Sequence, residues 1–600
     1  MPSIFIGSVP WHDGEEKVHQ LLRVPLPDNP TVPGLSPNGA NFLRTAPLMA
    51  VGTIDSQGRP WTTLWGGKSG FAEPVGQSMI RLRTQVDNTY DPVAKMLFKD
   101  QPDEDDGGIF NETQKMISGL AIDLEQRRRW KLFGRMVAGT LTVDRPGQAD
   151  VVVKIEESLG NCPKYLNKRH IVPAESKPKL VSDSPQLTPA AIKLISRANT
   201  IFVSSRHDAI NMDTNIRGGP PGFVRVESNT TKGAVLLYPE YSGNRLYQTL
   251  GNLQTTPLAG YVIPDFDSGD VLYVTGHTEI LAGKDAAAVL PRSNLAVRLT
   301  LTVAIFVENG LAFRGETGEP SPYNPAVRYL PTERSPISAE NSSRTDMSAT
   351  LIKKEVLTPN INRFRFRVSS SKPLTWTPGQ YATMSFKDEL DMGYSHMRDD
   401  DPTSLNDDYV RTFTVSSYPG RELPANEFEL MIRRHGNVTD HLFRTNERAG
   451  LEAPLKGFGG SFRLSTDDGS IVPFVAGGIG ITPFLAQLPD LEFSLVRLFW
   501  SVSSEDLGLV YDTFQRWPRL FASTTLFITG GSAPSDANRP MWDAIAGSDA
   551  QVHRRRMGAA DLEEAKQVAQ RWYLCAGIKL KQSVLGWLVG KDVVYEDFDY

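Results

Sequence analysis

"VPFVAGGIGITPF", residues 472–484, runs an apolar stretch into glycines and then into Thr-Pro. Val472–Ala476 reads as the interior of a buried strand. Gly477, Gly478 and Gly480 let an anionic group approach the backbone, Thr482 offers a hydroxyl donor, and Pro483 suits the first turn of a helix. A strand, a glycine turn and a helix start form a phosphate-binding arrangement at the carboxyl end of a parallel strand. The neighbouring apolar runs "SLVRLFW", "TTLFITG" and "RWYLCAG" alternate with helical stretches such as "DLEEAKQVAQRW". That alternation predicts a parallel sheet with crossover helices over residues 466–600.

Residues 350–465 have a different pattern. "LIKKEVL", "NRFRFRV", "QYATMSF" and "FELMIRR" read as strands of a small barrel. In "RTFTVSS", 411–417, Arg411 can meet a phosphate through two charge-assisted bonds, and Phe413 lies on the same strand face with an aromatic ring. Thr414 adds a hydroxyl. In "RRHGNVTDHL", 433–442, Gly436 and Thr439 sit where a helix N-terminus can bind a pyrophosphate.

The succession PGQY, RTFT, GNVT, GGIGITP, YLCAG, YEDF resembles the ferredoxin–NADP reductase superfamily over residues 350–600. The family pattern RxYSxxS is met by Arg411, Phe413, Thr414 and Ser417. The resemblance implies that Arg411 holds the FAD pyrophosphate, that Phe413 packs on the flavin and that Thr414 lies near its N5. It assigns Gly436, Val438 and Thr439 to a second FAD loop. Gly478, Gly480, Thr482, Cys575 and Gly577 fall to the nicotinamide site, with Thr414, Cys575 and Glu596 as the catalytic set. Phe598 matches the aromatic beside the isoalloxazine, and Tyr600, two residues on, competes for that place. Phe413 lacks the usual phenol hydroxyl, and Cys-Ala-Gly stands where the family has Cys-Gly-Pro. Acidic Glu505 and Asp506 favour NADH, while the basic run 554–556 leaves NADPH open. The stretch 387–408 reads as an acidic surface loop inserted before Arg411.

The first half holds an internal echo. "GGKSGF" (66–71) recurs as "GGPPGF" (218–223), and "GLAIDLEQRRRWKLFGR" (119–135) recurs as "GYVIPDFDSGDVLYVTGH" (260–277), in the same order. Strand alternation around Gly and Pro turns predicts a pair of small antiparallel barrels. "WHDGE" (11–15), "LGNCPKYLNKRH" (159–170), "RGGPPGFVRV" (217–226) and "PEYSGNRLYQTLGN" (239–252) resemble the pyridoxamine-5′-phosphate oxidase-like split barrels. Members of that family are homodimers with FMN at the subunit interface. The resemblance implies an FMN site between two repeats of one chain, with Lys164, Arg225, Ser242, Asn244, Arg245 and Asn252 as candidate ligands. Haem is the alternative occupant, and the alternative role is a non-catalytic binding module, with a separate protein as the electron acceptor.

The composition narrows what the halves can exchange. Six hundred residues carry a net charge of −5, so no general affinity for nucleic acid is expected. The basic runs 127–129 and 554–556 read as solvated faces. Two cysteines, Cys162 and Cys575, are too few for a disulfide framework, a four-thiolate iron–sulfur cluster or a structural zinc site, and the nine histidines show no HExxH spacing. No resident metal is expected. No apolar run reaches the ~18 residues of a membrane span, and no targeting signal is recognised at either end, so a cytoplasmic protein without membrane or nucleic-acid partners is expected. The expected plan is multidomain: split-barrel repeats at 1–175 and 176–314, a Pro/Ser-rich linker at 315–349, an FAD-binding Greek-key barrel at 350–465 and an NAD(P)-binding α/β domain at 466–600. Electrons would pass from NAD(P)H through FAD to FMN, and on to a small molecule or dioxygen. The chain would be a monomer with an internal pseudo-dimer, or a homodimer.

Overall fold

Residues Met79–Val86 alternate strictly between outward and buried positions, with Ile80, Leu82, Thr84 and Val86 turned inward. A strand with that pattern has one face on a core. In the computed structural model, which describes residues 9–99, 115–333, 347–370, 374–421, 423–465, 469–530 and 539–596, this strand belongs to an eight-stranded antiparallel sheet. Its order is Pro60–Gly66, Leu48–Ile54, Met116–Asp123, Arg128–Leu141, Gly147–Asn161, Met79–Val86, Ala72–Gly76, with Val32–Pro33 paired to Gly147–Asn161. A second sheet repeats the order: Asn211–Gly218, Thr200–His207, Leu258–Pro264, Val271–Ala282, Leu295–Glu308, Gly233–Pro239, Arg225–Thr230, with Lys179–Asp183 paired to Leu295–Glu308. The correspondence reaches single residues. Gly134 and Gly276 each sit at a β-bulge, opposite Ile155 and Leu301 respectively. A Cβ on Gly134 would lie 2.0 Å from the Lys154 carbonyl oxygen, and one on Gly276 would lie 2.1 Å from that of Thr300.

The two sheets pack reciprocally. Pro60–Gly66 lies against Leu258–Pro264 and Thr200–His207, and its counterpart Asn211–Gly218 lies against Met116–Asp123 and Leu48–Ile54. Such an exchange defines a pseudo-two-fold relation. The seam is built from small and hydroxyl-bearing residues. Thr62 Oγ1 donates to the Gly260 carbonyl at 2.6 Å, and Ser118 and Thr214 hydroxyls meet at 2.6 Å. A Cβ on Gly260 would sit 2.2 Å from the Pro60 carbonyl oxygen, and one on Gly52 would sit 2.2 Å from Ser204 Oγ.

The chain divides into two units, Met1–Glu333 with Tyr394–Asp407, and Arg334–Gly393 with Asp408–Tyr600. Two expectations change here. The stretch read as a linker from 315 begins inside a strand, Phe313–Thr317, paired with Arg169–Pro173. It stays with the first unit through Glu333, because Arg127 donates to the Glu319 and Pro320 carbonyls and Tyr323 is buried. The acidic stretch 387–408, read as a surface loop, contributes Tyr394–Asp407 to the first unit. Asn406 there accepts from the Ser242 backbone and donates to Tyr165 Oη, and Tyr323 donates to Asp399 at 2.5 Å.

The second unit contains a six-stranded antiparallel barrel in the order Val410–Thr414, Tyr381–Ser385, Glu452–Gly459, Ser348–Thr358, Ile361–Ser369, Glu427–Arg433. A bridge between Val415 and Leu430 joins its first and last strands. A six-stranded parallel sheet follows: Gln551–His553, Thr524–Thr529, Val496–Ser503, Val472–Gly477, Arg571–Cys575, Asp592–Tyr595. Its strand order reverses between Val472–Gly477 and Arg571–Cys575, which opens a crevice at their carboxyl ends. Arg363, on a barrel strand, is ion-paired with Glu355, Glu429 and Asp512 and is nearly inaccessible. Among the described residues, no helix is long and apolar enough to cross a membrane.

The seam between the eight-stranded sheets has no room for a side chain at Gly260. Gly260→Ala is expected to lower the stability of the first unit by about 1–3 kcal/mol, read as a reduced urea midpoint. An unchanged midpoint would contradict the close approach of the two sheets.

Candidate functional site

The parallel-sheet crevice gathers the residues read from "VAGGIGITP". Gly478 has φ +53, and its carbonyl accepts from Trp500 Nε1 at 3.0 Å. A Cβ on Gly480 would lie 2.1 Å from the Cys575 carbonyl oxygen and 3.3 Å from its Sγ, so the glycine turn and the end of Arg571–Cys575 touch. Thr482 and Cys575 are buried at this contact. Gly577 precedes the helix Ile578–Trp587, and a Cβ there would meet nothing within 4 Å, leaving the helix start approachable. Glu596 lies beyond Asp592–Tyr595, its backbone N–H bonded to the Leu574 carbonyl. Phe598 and Tyr600 lie outside the described residues. Two contributors escaped sequence reading: Trp500, and Arg433, which ion-pairs with Asp506. That pair commits the Asp506 carboxylate, read as a cofactor discriminator, and leaves Glu505 exposed beside it.

At the barrel rim, Arg411 projects from Val410–Thr414, partly exposed and 3.9 Å from Asp408. Thr414 is buried, and Phe413 is half-buried against Phe386 with ring centroids 6.4 Å apart. Ser417 Oγ accepts from the Glu429 backbone at 3.0 Å and so fixes the closing edge. The helix Gly436–Arg444 starts without a side-chain cap, and Gly436 has φ +72 with open space around its Cβ position. A helix start of this kind suits an anion. Thr439 bonds back to the His435 backbone, while Val438 is buried in the barrel core. A hydroxyl, a cation and an uncapped helix start at one rim fit the diphosphate and ribityl groups of a flavin dinucleotide.

The first unit carries a cavity of about 110 Å³ lined by residues of both eight-stranded sheets. Arg129 and Lys131 come from a strand of the first, Cys162, Lys164 and Tyr165 from the loop that follows its strand Gly147–Asn161, and residues 215–218, 239–241 and 243–250 from the second and the segment after its strand Gly233–Pro239. Five cations line it. Lys131 is ion-paired with Asp213, and Arg217 with Glu240 at 2.6 Å. Arg129, Lys164 and Arg245 have no carboxylate partner among the described residues. Lys164 is buried and donates to the His396 carbonyl at 2.5 Å, and the Arg245 guanidinium lies 3.3 Å from the Tyr394 ring centroid. Arg129 Nε and Tyr241 Oη are buried without a hydrogen-bond partner among the described residues, a costly arrangement unless a ligand supplies acceptors. Burial pulls the Arg129 guanidinium down to about 10, still charged at neutral pH. Tyr165, Arg245 and Tyr247, all lining residues, hold left-handed backbone with φ between 54 and 64. Such strain gathers at ligand sites.

The cavity also sorts the sequence expectations. Lys164, Asn244 and Arg245 line it, and Ser242 stands between lining residues with its carbonyl accepting from Tyr165 Oη at 2.6 Å. Arg225 does not: it pairs with Glu333 and lies over Tyr329. The run 127–129, read as a solvated face, splits. Arg128 is exposed, Arg127 binds the Leu166 carbonyl, and Arg129 faces the cavity with Lys131. The signal was strand alternation, since Arg129 and Lys131 are two apart on Arg128–Leu141. Cys162 lines the same space, with Met397 Sδ 3.7 Å from its Sγ.

Asn252 falls in a second cavity of about 60 Å³, which shares Lys131 and Gln248 with the first and is walled by His12, Glu15, Glu157 and Asp213. His12 caps the helix Asp13–Leu22 through Nδ1, stacks on His207 at 4.3 Å, and is pushed down to about 4 by burial and by His207. Burial pushes the Glu15 carboxyl up to about 7. His12, Asp13 and His207 present ligand atoms within 4.8 Å of one another. Because His12 Nδ1 accepts backbone N–H groups, its Nε2 carries the proton, which makes it a poor metal ligand.

No family model matches the chain. Flavohemoprotein B of Dictyostelium discoideum is 27% identical over 144 residues, 22% of this chain and 31% of that protein. The ferredoxin–NAD(P)(+) reductase component of the naphthalene 1,2-dioxygenase system of Pseudomonas putida is 30% identical over 140 residues, 23% of this chain and 35% of that protein. The chain thus spans about a third of the length of these relatives. Among solved structures, the flavohem-like FAD/NAD binding domain of a nitric oxide dioxygenase from Vibrio cholerae is 18% identical, covering 42% of this chain and 99% of that one with a TM-score of 0.32. The chain therefore has relatives among reductases of the ferredoxin–NAD(P) type.

Glu15 binds its proton more tightly folded than unfolded. Its burial thus favours the folded state at low pH and disfavours it as pH rises from 4.5 through about 7. The melting temperature of the first unit is expected to fall over pH 5–8 more steeply in the native chain than in Glu15→Gln. Parallel profiles would contradict the buried, protonated carboxyl.

Proposed function

We propose that the chain is an NAD(P)H-dependent flavin oxidoreductase with FAD in the second unit and FMN in the cationic cavity of the first. In this reading the two eight-stranded sheets are a duplicated split barrel that forms its dimer within one chain. When bound, FAD would take an electron pair from the nicotinamide, and FMN would relay electrons to a small-molecule acceptor or dioxygen.

The chain's own groups divide the work. Arg411 and the uncapped start of Gly436–Arg444 would bind the FAD diphosphate. Thr414 would donate its hydroxyl to the flavin ring, and Phe413 would cover one ring face. Gly478 and Gly480 would admit the nucleotide to the crevice, with Thr482 and Cys575 setting the depth at which the nicotinamide stops. Glu505, exposed at the carboxyl end of Val496–Ser503, would accept from a ribose hydroxyl and repel a 2′-phosphate, which favours NADH. In the first unit, Arg129, Lys164 and Arg245 would hold a phosphate monoester, while Asn244 and the Tyr241 hydroxyl would donate to the flavin or its ribityl chain.

The observation that carries the FMN assignment is the set of three cations that have no carboxylate partner among the described residues, in a cavity with two buried polar atoms that have no hydrogen-bond partner there. A phosphate dianion would answer both, whereas a purely structural cavity would leave both uncompensated.

Flavins released by heat from the purified chain are expected to be FAD and FMN. Arg411→Ala is expected to reduce retained FAD at least tenfold and leave FMN in place. NADH is expected to bleach the native chain under nitrogen at lower concentration than NADPH. A colourless chain that stays inert after flavin addition would end the proposal.

A further inference from the structure

A pseudo-two-fold relation generates every interface position twice. The cationic cavity must therefore have a twin, built from the same strand ends with the two sheets exchanged. The bulge glycines Gly134 and Gly276 fix the correspondence. Counting back along each strand pairs Lys131 with Tyr273 and Arg129 with Val271. The turn glycines Gly66 and Gly218 pair Arg217 with Trp65. Ile155 and Leu301, which face the bulge glycines, pair Lys164 with Gly310.

Each of these four cations is thus replaced by a neutral residue. The loop 87–91, which corresponds to 240–247, carries no basic residue and two buried carboxylates, Asp87 and Asp91. Asp91 caps the helix Pro92–Phe98 and accepts from Trp65 Nε1 at 2.9 Å and from Thr63 Oγ1 at 2.6 Å. Trp65, Val271 and Tyr273 are all buried in one hydrophobic core with Leu311 and Phe313. Burial raises the Asp91 carboxyl to about 6 even without an added anion. The space that would hold a ring system is filled with indole, phenol and phenyl groups, and the loop that would reach a phosphate carries two buried carboxylates and no cation.

We propose that the chain keeps one flavin-phosphate site where its pseudo-symmetry provides two positions, the twin around Trp65, Asp91 and Tyr273 having become a closed structural core. This rests on the reading that the open cavity binds FMN. One FMN per chain also sets the reducing capacity, since each flavin holds two electrons: full reduction of the chain takes two equivalents of NADH, one for FAD and one for FMN.

The test is the flavin ratio of the full-length chain, incubated with excess FMN, desalted and then denatured to release its flavins. One FMN per FAD is expected. Two per FAD would overturn the closed twin. No FMN at all would overturn the FMN reading itself, and with it this inference. Substitution provides a second readout. Lys164→Gln is expected to lower retained FMN at least tenfold, while Thr63→Val in the twin leaves the ratio at one. A loss of FMN in Thr63→Val as large as that in Lys164→Gln would place the ligand in the wrong cavity.

Discussion

The contact between Gly260 and Pro60, where one sheet's backbone meets the other's at a distance that excludes even a methyl group, sets the architecture of the first unit. Because Gly52, Thr62, Ser118, Ser204 and Thr214 are small or hydroxyl-bearing, the two sheets meet through hydrogen bonds and close backbone packing. That approach brings the start of Arg128–Leu141 beside the end of Asn211–Gly218 and so assembles Arg129, Lys131 and Arg217 around one space. A bulkier seam would separate these cations, and no local feature of either sheet would replace them. Symmetry creates the positions, and side-chain identity then makes one polar and open and its twin apolar and closed.

The second unit is organised by a different constraint, the reversal of strand order between Val472–Gly477 and Arg571–Cys575. Glycine is needed at 480 because the Cys575 carbonyl occupies the place of a Cβ. Trp500 and Arg433 support the turn from the neighbouring strand and from the barrel, so the crevice rests on both halves of the unit. Arg363 ties the barrel to the helix Leu507–Arg516 through Asp512. Lys353, Arg365 and Arg516 share the same carboxylates, so Arg363 is the buried centre of a network of charges.

Local chemistry made much of this legible. The glycine turn at 477–480 declares itself because a strand-to-helix turn with so close a backbone approach needs glycines at neighbouring positions. The paired motifs ending at Gly134 and Gly276 show up because each β-bulge demands a glycine. Long-range pairing was not legible. Arg225 looked like a phosphate ligand until Glu333, 108 residues away, claimed it. Asp506 looked like a ribose partner until Arg433 did the same. Arg129 looked solvated because a basic run hides the alternation that turns every second residue inward. The membership of Tyr394–Asp407 in the first unit depends on contacts with Ser242, Gly243 and Tyr323, which no local pattern announces.

The central claim is that Arg129, Lys164 and Arg245 hold a phosphate monoester within the first unit. Phosphorus-31 NMR of the flavin-loaded chain tests it most directly. The account predicts a monoester resonance beside the diphosphate pair, with a shift constant from pH 5 to 8 because three cations keep the group a dianion. The absence of a monoester signal, or one that titrates like a free phosphate ester near pH 6, would contradict it.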